Sequence, residues 1–455
     1  MILVFPHSMK MYRIGGKSMY FERDVEKNKI PSWSVKDGIP AFTLPEYRPI
    51  GIPVLKTNYF ITGSIGMGKT DYVKKVVKYR IEEQTDLRLA VLQIKPHDFD
   101  ELVGDEGLFI SQNPNDYPIN RLFHWNAMKE FRAAGEEKYM QSIQEFTSLA
   151  ASEFHRSAGA NLYFVDTAEE TVNRYFLSLL HSTTDNLSND KTFGFLENAE
   201  PEKILRIIGN YPFNHNFLKT NFDFNPKSES PYVLSKRGRD IFIFVLKIVR
   251  AIRGTFREPG EDTIWDFLHS GKDNVTRLCI CHEEGSQSSY IMEQYFLKRI
   301  TTLMLGSETS ISGDLLMVLD ELDKTRVREF PLAQILTLAR DVNGKRTQVL
   351  LSTQSFESLY AVGEDEHEIR SLLSGFKITV SFNPGMDATT RNILKAAYGN
   401  HFIQKITTPI SRYDSPIIQT MEEPWVKDQD FSSLGIGQAY VKIQSERPYR
   451  VQIRE

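Results

Sequence analysis

Eight residues, Gly63-Ser64-Ile65-Gly66-Met67-Gly68-Lys69-Thr70, bring together three glycines, an amine and a hydroxyl directly after the run "NYFIT" (58–62). Glycines at this spacing let backbone N–H groups close around phosphate oxygens, with the start of a helix behind them. The Lys69 amine then reaches β- and γ-phosphates, and the Thr70 hydroxyl is placed for Mg²⁺. A glycine turn that merely caps a helix, with Lys69 as a solvated charge, is the plainer reading. A second set lies far downstream, where the apolar run Leu315–Leu319 ends in Asp320-Glu321, with Asp323 close behind. Beside a phosphate chain, Asp320 would hold the metal through its water shell and Glu321 would polarise the attacking water. Such acids can also simply favour a following helix N-terminus. That alternative weakens when a phosphate loop stands upstream in the same chain. A third set closes the strand-like run "TQVLLST" (347–353), where Gln354 could sense the γ-phosphate or orient water, or merely end the strand.

These residues need a particular scaffold. "NYFIT" predicts a buried strand, and Lys69 to about Gln84 predicts a helix with Val73, Val76, Val77 and Ile81 on one face. Further strands are expected at 88–94, 107–111, 276–282, 315–320, 347–353 and 376–382, with helices at 287–305, 331–341 and 355–374. This alternation predicts an α/β fold with a mostly parallel sheet. "QAYVKIQSERPYRVQI" predicts a terminal hairpin. Between about Trp125 and residue 260 strand signals vanish and helical ones dominate, including an apparent capping box at Thr167 and Glu170. The expected division is 1–57 as strands leading in, 58–124 with 261–455 as the nucleotide-binding domain, and 125–260 as an all-α insertion.

Composition adds bounds. The chain has 455 residues, a formal net charge of −4 and two cysteines. No overall basic field announces nucleic acid, although a local basic channel would still serve. Two cysteines make no disulfide framework, so a reducing, cytoplasmic setting is expected. The longest apolar run, "IFIFVLKIV" (241–249), is about half a membrane span, so membrane contact is expected only through a partner. Cys279 and Cys281 alternate along one strand and read as buried small residues, because nothing completes a metal site around them. His97 and His124 stand alone. The stretches 233–240 and 247–257 are densely basic. Either could touch a phosphate backbone, and either could be a solvated helix face. Phe242, Phe244 and Phe256 there read as core.

In order and spacing, these pieces resemble the TraG/TraD-type coupling ATPases of conjugation and type IV secretion, within the HerA/FtsK group of P-loop motors. The resemblance runs from about Gly38 to the C-terminus. It is carried by Val35–Thr70, by Ile119–Met128 and Glu261–Leu268 on either side of the helical stretch, and by Asp387–Gly399 and Leu434–Ile443. The most specific match is Leu315–Leu322 followed by Ile335–Phe356. The resemblance implies a RecA-like domain carrying an all-α domain, assembled as a homohexamer with ATP and Mg²⁺ between subunits and DNA in the pore. By position, Lys69 and Thr70 would be the Walker A ligands, Asp320 and Glu321 the Walker B pair, and Gln354 the strand-tip sensor. Arg340 is placed to reach a neighbour's γ-phosphate, or else to favour the end of its own helix. Family members usually begin with transmembrane helices, and none is expected in this sequence. The leading expectation is an ATP-hydrolysing, DNA-translocating ring motor with a relaxase or secretion-system partner. The alternatives are an ATP-switched platform that recruits protein cargo, and a HerA-type helicase.

Overall fold

A computed structural model gives the fold. It describes residues 9–14, 18–24, 31–113, 115–183, 187–224, 232–256, 260–269, 275–283, 287–306, 313–324, 337–338, 347–361, 366–409 and 417–454. The chain forms two compact units, one within 1–84, 320–324 and 348–455, the other within 85–319 and 325–347.

In the first unit the strand leading to the glycine loop is Tyr59–Thr62, buried at every position. Parallel neighbours flank it, Ile378–Ser381 on one side and Thr347–Thr353 on the other. An unbroken buried run is what a parallel strand covered on both faces requires. Beyond Ile378–Ser381 the sheet turns antiparallel, through Gln438–Ile443, Tyr449–Ile453, Ile39–Thr43 and Arg48–Ile52. The expected terminal hairpin supplies the first two of these. The helix after the loop runs Lys69–Glu83 and buries Tyr72, Val73, Val76 and Val77. Near its end the buried Arg80 donates through Nε to Gln348 Oε1 at 3.0 Å. The single helix expected at 355–374 is two, Phe356–Ala361 and Glu366–Gly375. Of the helix expected at 331–341, residues 337–338 are described and helical.

This unit also contains an antiparallel sheet of Met9–Ile14, Ser18–Asp24, Asn400–Pro409 and Ile417–Pro424; the first two lie where short leading strands are expected, and the last two the sequence pattern does not announce. Phe402, Ile418 and Met421 stay exposed there, interleaved with Gln, Lys, Glu and Thr. The contrast between alternate positions, which marks a half-buried strand, is therefore weak.

The second unit holds four parallel strands in the order Leu315–Leu319, Arg88–Gln93, Arg277–Cys281, Leu108–Ile110. Its helical stretch includes Ala127–Ala133, Tyr139–Ser157, Leu162–Ser182, Asn189–Asn198, Pro201–Gly209 and Lys236–Thr255. Thr167 does not open a helix as expected. It lies inside Leu162–Ser182, where its hydroxyl donates to the Tyr163 carbonyl at 2.7 Å. Threonine can bond back to the preceding turn, so a capping-box pattern can occur within a helix. Trp125 anchors a ring cluster, its centroid 4.5 Å from Phe256, 5.0 Å from Tyr295 and 5.1 Å from Phe146. The chain enters and leaves the helical stretch side by side. Asn126 N donates to Asp262 O and Asp262 N to His124 O, each at 2.9 Å.

The same unit contains a buried ion pair. Arg299 Nε donates to Glu130 Oε1 at 2.8 Å, and Glu130 Oε2 accepts from Ile264 N at 2.6 Å. Both side chains are almost wholly buried. Removing one partner would strand the other charge out of water, which costs far more than the pair contributes. Glu130→Ala is expected to destabilise this unit by about 3–5 kcal/mol, read as a lower urea midpoint by circular dichroism.

Candidate functional site

The first unit brings the first two of the three sequence sets together. Lys69 is buried, and its Nζ donates to the carbonyls of Gly63 at 2.5 Å and Ser64 at 3.0 Å, folding the loop around the amine. Gly66 has φ +74°, a left-handed conformation that glycine adopts at no steric cost. A Cβ there would meet no atom within 4 Å, so the loop faces open space. No side chain caps the start of helix Lys69–Glu83. Its first N–H groups are thus available to an anion, and the helix dipole favours one.

The carboxylates lie on the Thr347–Thr353 side of this loop. Thr70 Oγ1 donates to Asp320 Oδ2 at 3.2 Å. Ser352 Oγ donates to Asp320 Oδ1 at 2.7 Å and accepts from Glu321 N at 3.3 Å. One serine therefore positions both acids. Burial pushes the Asp320 carboxyl upward, partly offset by the bonds from Ser352 and Thr70. A divalent cation held there would reverse that balance. Glu321 is buried, and Lys324 Nζ stands 2.7 Å from its Oε2. Its backbone φ is +46°, rare for a residue with a side chain and a strain that tends to gather at functional sites. Thr353 pairs with Thr62, so Gln354 emerges level with Gly63 at the start of the phosphate loop. Arg340 lies outside the described residues.

Ser352 and Lys324 were not singled out from the sequence. A serine near a strand end carries no signal of its own until the neighbouring strand is known. Two more residues brace the loop. Ser64 N donates to Asn383 O at 2.8 Å, and Gly437 N donates to Met67 O at 3.1 Å.

The remaining candidates resolve as structure. Cys279 and Cys281 are buried free thiols, with Gln93 Nε2 3.3 Å from Cys281 Sγ. Among the described residues no cluster of His, Cys, Asp and Glu could hold a metal ion as protein ligands alone. His97 Nδ1 lies 2.7 Å from Asp100 Oδ2, and His124 Nε2 2.9 Å from the Ile119 carbonyl. In the basic stretch, Arg250 and Arg253 pair with Glu197, and Arg253 also with Asp190. Phe242 and Phe256 are buried, as expected. Lys236, Arg237, Arg239 and Lys247 are exposed. Among the described residues no helix is long and apolar enough to cross a membrane.

The residues fit a phosphate chain with Mg²⁺, in that an open glycine loop, an uncapped helix start, an amine, a hydroxyl and a buried carboxylate converge. No protein-family model matches the sequence, and no curated protein matches it. Solved structures do. The bacterial conjugative coupling protein TrwB, lacking its first 70 residues and unbound, superposes with a TM-score of 0.67 at 13% identity, over 99% of this chain and 96% of that one. TrwB in complex with ADP and Mg²⁺ gives 0.61 at 14% identity, over 89% and 88%. VirB4 of Thermoanaerobacter pseudethanolicus gives 0.52 at 10% identity, over 92% and 97%. The chain thus has the α/β, RecA-like P-loop fold of the conjugative coupling protein structures, the group its motifs resemble.

Proposed function

We propose that this chain is a P-loop ATPase working as a homohexameric ring motor of the conjugative coupling type, moving DNA or a DNA–protein substrate. The observation that carries the reading is the Thr70–Asp320–Ser352 chain of hydrogen bonds, which ties the phosphate loop to the acid pair. Residues Gly63 to Thr70 would hold the phosphates of ATP, and Thr70 with Asp320 would hold Mg²⁺. When bound there, Mg²⁺ would supply positive charge against the phosphate oxygens. Lys69 would leave its own loop carbonyls for phosphate oxygens. Glu321 would accept a proton from the attacking water once released from Lys324. Gln354 would orient that water, and Arg340 would act on a neighbour's site. Residues 58–124 with 261–455 form the nucleotide-binding domain in this reading, and 125–260 the insertion, which is helical except that Asp223–Phe224 and Tyr232–Val233 pair as two short strands rather than leaving it all-α as expected. The side-by-side entry and exit at 124–126 and 262 support that division. The buried free thiols suit a cytoplasmic setting.

One observation favours a role in recruiting protein cargo as well. A cleft in the second unit is lined by Glu145, Asp166, Glu169 and Glu170 together with Lys298, so acids outnumber bases there and DNA phosphates are disfavoured. A relaxase or secretion-system protein would be the contact there. Imaging purified particles with and without ATP and DNA separates the readings. The motor predicts rings that form with nucleotide and capture DNA, with affinity falling steeply as salt rises. Rings that never take DNA would leave the cargo platform.

Ser352→Ala is expected to raise the Mg²⁺ concentration for half-maximal hydrolysis about tenfold, because Asp320 loses the bond that aims it. Titrating Mg²⁺ at saturating ATP checks this.

A further inference from the structure

Two loops on the other flank of the phosphate loop present bare apolar tips. Residues 382–386 follow strand Ile378–Ser381, and 433–437 precede strand Gln438–Ile443. Met386 is 94% exposed and Ile436 75% exposed. Exposed apolar side chains are common singly and are usually carried on mobile loop tips. These loops are instead held tightly. Asn383 O accepts from Ser64 N at 2.8 Å, and Gly437 N donates to Met67 O at 3.1 Å, so each is bonded to the phosphate loop itself. A Cβ at Gly385 would come within 2.6 Å of Ser64 Oγ, so backbone and loop are in direct contact. Asn383 Nδ2 donates to Leu434 O at 3.2 Å, joining the two loops. Arg450 Nη2 donates to Ser433 O at 2.9 Å, and Gln452 Nε2 to Ile436 O at 3.3 Å, fixing the second from behind.

We propose that Met386 and Ile436 form an apolar clamp for the nucleobase of the bound nucleoside triphosphate. The inference rests on the nucleotide reading and extends it from the phosphates to the base. Strand order gives the direction. Ser352, which holds Asp320, belongs to the strand on one side of Tyr59–Thr62, and both apolar loops belong to strands on the other side. The γ-phosphate end of a nucleotide points to the acids, so its nucleoside end points to the apolar loops. A base has two apolar faces, and a tip from each loop can cover one. Two polar side chains at the first loop are committed to bracing. Both ends of the Asn383 amide are bonded, to Leu434 O and to Gly385 N. Asp387 Oδ1 caps the next helix at Thr390 N. What Met386 and Ile436 themselves offer a base is apolar contact.

The test compares ATP with inorganic tripolyphosphate, which has the phosphates and no base. Both are titrated calorimetrically into wild type, Ile436→Ser, Met386→Ser and the conservative Ile436→Leu. The serine variants are expected to bind ATP about tenfold more weakly, to bind tripolyphosphate as wild type does, and to melt at the same temperature. Ile436→Leu should restore ATP affinity. Unchanged ATP affinity in both serine variants would overturn the clamp, and so would equal weakening of both ligands. A changed particle mass at unchanged ATP affinity would also overturn it, making the patch a contact between copies. Wild type that binds neither ligand would overturn the nucleotide reading and the clamp with it.

Discussion

Replacing Lys69 with alanine is expected to lower ATP turnover about 10²–10³-fold or more and to leave the fold intact. The side chain is buried, and its amine donates to the carbonyls of Gly63 and Ser64 in its own loop. No hydrophobic packing depends on the amine. Its loss removes the one positive charge in the loop that can follow charge developing on the γ-phosphate. A low-dielectric site magnifies such a term relative to water. Phosphate release at saturating Mg·ATP measures the effect. An unchanged melting temperature separates it from unfolding. Turnover within twofold of wild type would remove Lys69 from the chemistry.

Glu321→Gln is the second large effect, and its signature differs. The carboxylate is buried, held by Lys324, and carried on backbone with φ +46°. Glutamine keeps the shape and removes the proton acceptor. A positioned base contributes about 10²–10⁴-fold, so hydrolysis should fall by that order while ATP binding persists. Nucleotide recovered from the variant after incubation should be uncleaved ATP. Wild type under the same conditions should yield ADP. Lys69→Ala thus loses grip on the phosphates, and Glu321→Gln holds them without turning over. If both variants lost binding equally, Glu321 would be a structural acid supporting the turn that follows its strand.

The parts of the fold that bear the site were readable because buried parallel strands carry an unambiguous signal. Tyr59–Thr62, Leu315–Leu319 and Thr347–Thr353 are apolar runs ending in polar residues, and each appears within a residue or two of its expected place. What escaped depends on neighbours distant in sequence. Ser352 acquires its role only because its hydroxyl meets Asp320 from a remote segment. Lys324 matters only because the turn after Glu321 brings the amine back. The bracing of Ser64 by Asn383 and of Met67 by Gly437 passes through backbone groups, which every residue possesses and no sequence pattern marks. The strands Asn400–Pro409 and Ile417–Pro424 escaped for another reason, their exposed apolar residues blurring the alternation. Thr167 misled because one local hydrogen-bonding habit serves both helix starts and helix interiors.

The central claim is that the phosphate loop and the acid pair hydrolyse ATP in a motor that acts on DNA. Steady-state phosphate release from Mg·ATP tests it most directly, measured across protein concentration with and without nonspecific DNA. The account predicts turnover that rises as subunits assemble and rises again, several-fold, when DNA is added. Absence of hydrolysis by the wild-type protein in every assembly state, with or without DNA, would contradict it.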